Sequence, residues 1–113
     1  MTSRRQRRVS ELLQEEISLI SLELDDPHLA YVTVTDVEVT PDLRHAHVYV
    51  SDTGGAEEKA AVLEGLERAR VFIRRELAER GVMRYVPDLT FHWDASVDQG
   101  QRIDELLKQM KLD

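Results

Sequence analysis

Residues 68–77, RARVFIRREL, decide whether the chain folds around one long helix or a helix pair. They place four arginines in ten positions of a chain whose formal net charge is -7. Residues 56–80 are helical in pattern, with Val62, Leu63, Leu66, Ala69, Ile73 and Leu77 near one stripe. A straight helix of those 25 residues would be about 37 Å long. A domain of this size has a radius of gyration of about 13 Å, and its strands run to about 20 Å. At helical periodicity Arg70 falls within the apolar stripe, while Val71 and Phe72 fall off it. A bend at Ala69, Arg70 and Val71 relieves all three, so two helices are expected here.

On the C-terminal side, Gly81 is placed to cap the helix. RYVPDLTFHWD (84–94) then alternates, with Leu89, Phe91 and Trp93 on one face and Thr90, His92 and Asp94 on the other. Trp93 therefore reads as core. A last helix is expected from about Val97, with Ile103, Leu106, Leu107 and Met110 as its apolar stripe.

On the N-terminal side, residues 31–51 read as a hairpin. Val32 and Val34 share one parity and Val37 and Val39 the other, which predicts a bulge across Thr35 and Asp36. Thr40-Pro41-Asp42-Leu43 supplies the turn. Ala46, Val48 and Val50 then alternate with His45, His47 and Tyr49. Before the hairpin, Val9, Leu12, Leu13, Ile17, Ile20 and Leu24 recur at helical spacing, and Asp25-Asp26-Pro27 ends that helix. The order is αββααβα in one domain over residues 1–113.

Charge is unevenly placed. Residues 1–10 carry Arg4, Arg5, Arg7 and Arg8 without an acid, and residues 66–86 carry six arginines against three glutamates. The rest is strongly acidic, so the far field repels phosphate, and any nucleic acid must meet a local patch. Arginines disfavour a helix N-terminus. Residues 1–8 thus admit either a flexible basic tail or a helical start. Without cysteine, neither a disulfide framework nor a thiolate metal site is available. No apolar run reaches the roughly 18 residues of a membrane span. No apolar region follows the arginine-rich start, and a mitochondrial presequence would avoid Glu11, Glu15 and Glu16. The chain reads as a mature cytoplasmic protein without a membrane partner.

Phosphate-loop, dinucleotide, nucleophile-elbow and zinc-protease motifs are all absent. No catalytic residue, cofactor or metal is assigned. His45, His47 and His92 could share a sheet face, as solvated polar groups or as a zinc set lacking a carboxylate to orient it. Tyr49 and Tyr85 could stack on bases. Arg68, Arg70, Arg74 and Arg75, with Arg80 and Arg84, form either a phosphate-facing surface or an ordinary solvated face. Charge pattern alone leaves both open.

With VEVTPDLRHAHVYVS (37–51), RARVFIRREL (68–77) and VPDLTFHWD (86–94) in order, the chain resembles the bacterial ribosome-binding factor A family over about residues 4–110. RRVSELLQEEISLISLELDDPHL (7–29) resembles the family's first helix and its acid-proline turn. The resemblance implies an α+β fold: one type II KH-like domain of order αββααβ plus a C-terminal helix, its helices on one face of a three-stranded mixed sheet. It implies a non-catalytic assembly factor that binds the free 30S subunit and assists maturation of the 16S rRNA 5′ end. It also implies growth support in the cold and release linked to an assembly GTPase. A monomer is expected. The RNA-facing set is Arg4, Arg5, Arg7, Arg8, Arg68, Arg70, Arg74, Arg75, Arg80 and Arg84. The family usually carries Ala-x-Gly at the bend, whereas this chain has Ala69-Arg70-Val71. Valine disfavours positive φ, which predicts a gentler kink and shifts contacts from backbone to arginine side chains. The alternative is a KH-like protein-interaction module without direct RNA contact.

Overall fold

The computed structural model describes residues 2–52 and 59–94. The final helix expected from Val97 lies outside them. Helix α1 (Arg4–Ser21) leads through a 3-10 turn (Pro27–Leu29) into β1 (Val32–Val39) and β2 (His45–Asp52). Helix α2 (Lys59–Glu79) and β3 (Asp88–Trp93) follow. The sheet order is β1-β2-β3, with β1 antiparallel and β3 parallel to β2. This is the expected α+β architecture with a mixed three-stranded sheet.

The arginines of residues 4–8 form the first turns of α1 and not a tail. Two local interactions offset the unfavourable dipole. The Ser3 hydroxyl accepts from the Gln6 backbone N–H at 3.1 Å, and the Gln6 side chain accepts from the Ser3 N–H at 2.9 Å. This is a capping box. The Gln6 amide also donates to the Val39 carbonyl at 2.9 Å, fixing the helix start to the end of β1.

The register shifts between Val34 and Asp36, so the bulge falls where the parity switch predicts it. It turns Val34, Val37 and Val39 all into the core. On β2, Ala46, Val48 and Val50 are fully buried, while His45, His47 and Tyr49 alternate on the half-buried outer face. Leu89 and Phe91 of β3 join the core, and Trp93 packs against it. Leu13, Ile17 and Ile20 of α1 and Val62, Leu66, Ile73 and Leu77 of α2 cover that face. These interlocked apolar side chains are the main stabilising term, at about 25 cal/mol for each Å² withdrawn from water.

The helix pair expected between β2 and β3 is instead one unbroken helix running through Ala69, Arg70 and Val71. None of the three residues needs a break. Val71 and Phe72 stand exposed on the outer side, and Arg70 reaches out of the stripe toward Glu67. At 21 residues the helix is about 31 Å long. Its first half packs on the 3-10 turn and its second half on β3. Gly65 permits the first contact, since a Cβ there would lie 2.8 Å from Asp26 Oδ2 and 3.2 Å from the Leu29 side chain. Gly81, with φ of 66°, ends α2 as expected. There the Val82 N–H reaches back to the Leu77 carbonyl at 3.4 Å.

Candidate nucleic-acid interface

Folding sorts the described arginines into two groups. Four are tied to carboxylates. Arg68 meets Asp26 at 3.0 Å, Arg70 meets Glu67 at 3.3 Å, and Arg74 meets Asp88 at 3.3 Å. Arg80 is held by Glu23 at 2.6 Å, Glu76 at 3.4 Å and Glu16 at 3.8 Å, which joins α1 to α2. Hydrogen bonding to Glu23, then to Glu76, raises the Arg80 guanidinium pKa further. Arg4, Arg5, Arg7, Arg8, Arg44, Arg75 and Arg84 have no ion-pair partner among the described residues.

Three of the unpaired set converge. Arg5 from α1, Arg44 from the β1–β2 turn and Arg84 from the α2–β3 loop line one cleft of about 730 Å³. Turn chemistry positions Arg44. The Leu43 N–H donates to the Thr40 carbonyl at 2.8 Å, and Leu43 adopts a positive φ of 61°. That φ is uncommon for a residue with a branched side chain. Asp42 accepts from the Thr40 hydroxyl at 2.6 Å and the Arg44 N–H at 3.0 Å. Those two bonds, the hydroxyl first, hold the Asp42 carboxyl below its ordinary pKa. Beside Arg84, the Tyr85 ring is 77% exposed and carries that guanidinium 5.6 Å from its centroid.

A second groove of about 380 Å³ runs between α2 and β3, lined by His45, Arg70, Arg74, Leu89 and Thr90. Asp88 lines both concavities, and Arg74 bridges them by holding Asp88 and the Val86 carbonyl, the latter at 3.3 Å. The Arg74 Nε is buried without a partner among the described residues.

The structure thus brings Arg5 and Arg84 together, sets Arg70 and Arg74 along the neighbouring groove, and ties Arg68 and Arg80 on the side facing α1 and the 3-10 turn. Arg44 is not among the residues expected from sequence. Its position after a Thr-Pro-Asp-Leu turn signals exposure, but nothing in the linear order places it beside Arg5 and Arg84.

The outer sheet face is chemically different. His47 Nδ1 and His92 Nε2 lie 2.9 Å apart, His45 Nε2 lies 3.2 Å from the Thr90 hydroxyl, and Tyr49 stacks on His92 with centroids 5.1 Å apart. Burial, then the nearby Glu38 carboxylate, raises the Tyr49 phenol pKa. Tyr49 is therefore engaged within the sheet, whereas Tyr85 is open. No group of three His, Cys, Asp or Glu residues among those described could hold a metal ion. No helix among the described residues is long and apolar enough to cross a membrane.

The family model for ribosome-binding factor A matches residues 5–107. The chain is 47% identical over 112 residues to ribosome-binding factor A of Halothermothrix orenii, covering 98% of this chain and 92% of that protein. It is 45% identical to the factor of Macrococcus caseolyticus, covering 98% of both. Among solved structures, the crystal structure of ribosome-binding factor A from Thermus thermophilus superposes with a TM-score of 0.69 at 28% identity. That match covers 78% of this chain and 93% of the other. A homology model of the T. thermophilus factor, fitted into a cryo-EM map of a complex with the 30S subunit, superposes at 0.60 with 33% identity. It covers 82% and 96% of the two chains. Continuous similarity across the described fold and beyond it places this chain in the ribosome-binding factor A family.

Proposed function

We propose that this protein is a non-catalytic assembly factor that binds the free, immature 30S subunit and assists late maturation of the 16S rRNA 5′ end. The observation that carries the reading is family membership, joined to a T. thermophilus relative that has been placed on the 30S subunit. The charge distribution supports it, because three unpaired arginines converge on one cleft of an acidic molecule. Arg4, Arg5, Arg7, Arg8, Arg75 and Arg84, with Arg44 added, would meet phosphates directly. Arg70 and Arg74 would join them by exchanging exposed pairs that are worth under about 1 kcal/mol. Arg68 and Arg80 would serve the fold more than the RNA. Val71 leaves contact in the α2–β3 groove to side chains. On this reading the protein acts as a cytoplasmic monomer, and its release is linked to an assembly GTPase.

Sucrose-gradient sedimentation of lysates tests this. The protein should co-migrate with free small subunits and not with intact ribosomes, and added salt should weaken binding steeply. Depleting it should lead to accumulation of 16S rRNA extended at its 5′ end. Migration with intact ribosomes, or no co-migration, rules the reading out. A flat salt response would favour docking on ribosomal proteins.

A further inference from the structure

The cleft between α1, the β1–β2 turn and the α2–β3 loop has chemistry more specific than a basic patch. Arg5, Arg44 and Arg84 come from positions far apart in the chain, and only the fold makes them neighbours. Three like charges in one concavity repel one another, and none is neutralised by an ion pair among the described residues. The two carboxylates at the rim are already engaged, Asp88 by Arg74 and Asp42 by Thr40 and the Arg44 backbone. Arg74 offsets Asp88, whereas Asp42 keeps its charge, so the three arginines leave the cleft with a net positive field, as an anion site requires.

Tyr85 narrows the choice of anion. Its ring is largely solvent-exposed at the wall of this cleft, with Arg84 above it. Phosphate alone has no use for an exposed aromatic face. An A-form duplex hides its base faces within the stack, whereas an unpaired nucleotide offers both a base face and flanking phosphates. Tyrosine beside arginine suits that combination, by stacking on one side and charge-assisted hydrogen bonds on the other. The volume of about 730 Å³ lies within the range of pockets that enclose small organic ligands.

We propose that this cleft holds one unpaired RNA nucleotide, its base on Tyr85 and its flanking phosphates on Arg5, Arg44 and Arg84. The inference rests on the RNA-facing reading above and sharpens it to a site and a strand state.

The test uses the full chain with a short single-stranded oligouridine and, separately, a short RNA duplex, followed by fluorescence anisotropy. Tyr85→Ala should weaken single-strand binding by roughly ten-fold, and Tyr85→Phe should restore it. Arg44→Glu should weaken it and lower its salt dependence. The duplex should bind more weakly than the single strand to the parent protein. Near-UV and far-UV circular dichroism of each variant should match the parent, since both substituted side chains lie at the surface. Unchanged binding of Tyr85→Ala, preference for the duplex, or no single-strand binding at millimolar concentration would each overturn the proposal. Sedimentation with small subunits is scored separately. A chain that binds oligouridine through Tyr85 but ignores the subunit disproves the assembly role and leaves this site intact.

Discussion

The side-chain amide of Gln6 donates to the main-chain carbonyl of Val39 across 2.9 Å, in a contact that excludes water. The same side chain closes the α1 capping box. Gln6→Ala leaves a buried carbonyl unpaired and frees the helix start, at a cost of about 1–3 kcal/mol. Urea titration should show a lower midpoint with an unchanged slope. The Arg4–Arg8 segment should exchange its amide hydrogens faster.

Gly65→Ala sets helix propensity against packing. Alanine gains about 1 kcal/mol over glycine inside a helix. The added Cβ, however, meets Asp26 Oδ2 at 2.8 Å and Leu29 at 3.2 Å. Asp26 can move only by giving up its bond to the His28 N–H or its pair with Arg68. Overpacking of this kind costs about 1–3 kcal/mol, so the variant should be less stable by about 1 kcal/mol, as read by the same titration.

Asp26 supplies a pH dependence. The His28 backbone N–H, and after it Arg68, lower its pKa below the ordinary 3.8. A carboxylate depressed in the folded state stabilises above its unfolded pKa, and that contribution is lost as pH falls through the folded value. Asp26→Asn should therefore melt below the parent near neutral pH. The two melting curves should converge as pH drops beneath 3.8.

Arg80 and Arg75 should separate folding from binding. Arg80 is clamped by three carboxylates, whereas Arg75 is exposed with no ion partner among the described residues. Arg80→Gln should lower the melting temperature and leave small-subunit sedimentation unchanged. Arg75→Glu should keep its melting temperature and sediment less with small subunits. The reverse pattern would exchange their roles.

The strands are legible in the sequence because their signal is local. Parity within β2 sets Ala46, Val48 and Val50 against His45, His47 and Tyr49, and a single parity break locates the bulge at Thr35. The helix boundaries are harder. Arg4–Arg8 enter α1 with the help of a bond from Gln6 to Val39, 33 positions away, which no window of sequence contains. Length argues for a bend at Ala69–Val71, but the turn at Pro27–Leu29 gives the long helix a partner of its own. The arginine set is legible by count and not by partner. Which guanidinium is free depends on where Glu16, Glu23, Asp26 and Asp88 arrive, and that is decided only in three dimensions.

The mixed sheet also fixes the order in which the chain can assemble. Val39 pairs with Ala46 only seven positions later, so the β1–β2 ladder closes through a short loop. His45 pairs with Asp88, 43 positions later, and this parallel ladder closes only after α2 has emerged and crossed over. Long loop closure precedes the contacts that reward it, which makes this the slow step. A chain leaving its ribosome would carry a finished hairpin with one edge of β2 unpaired until β3 arrives. Pulse-labelled amide exchange during refolding should protect Thr40, whose N–H donates to the His45 carbonyl, before Asp88 and Asp94, whose N–H groups donate to the Arg44 and Val50 carbonyls.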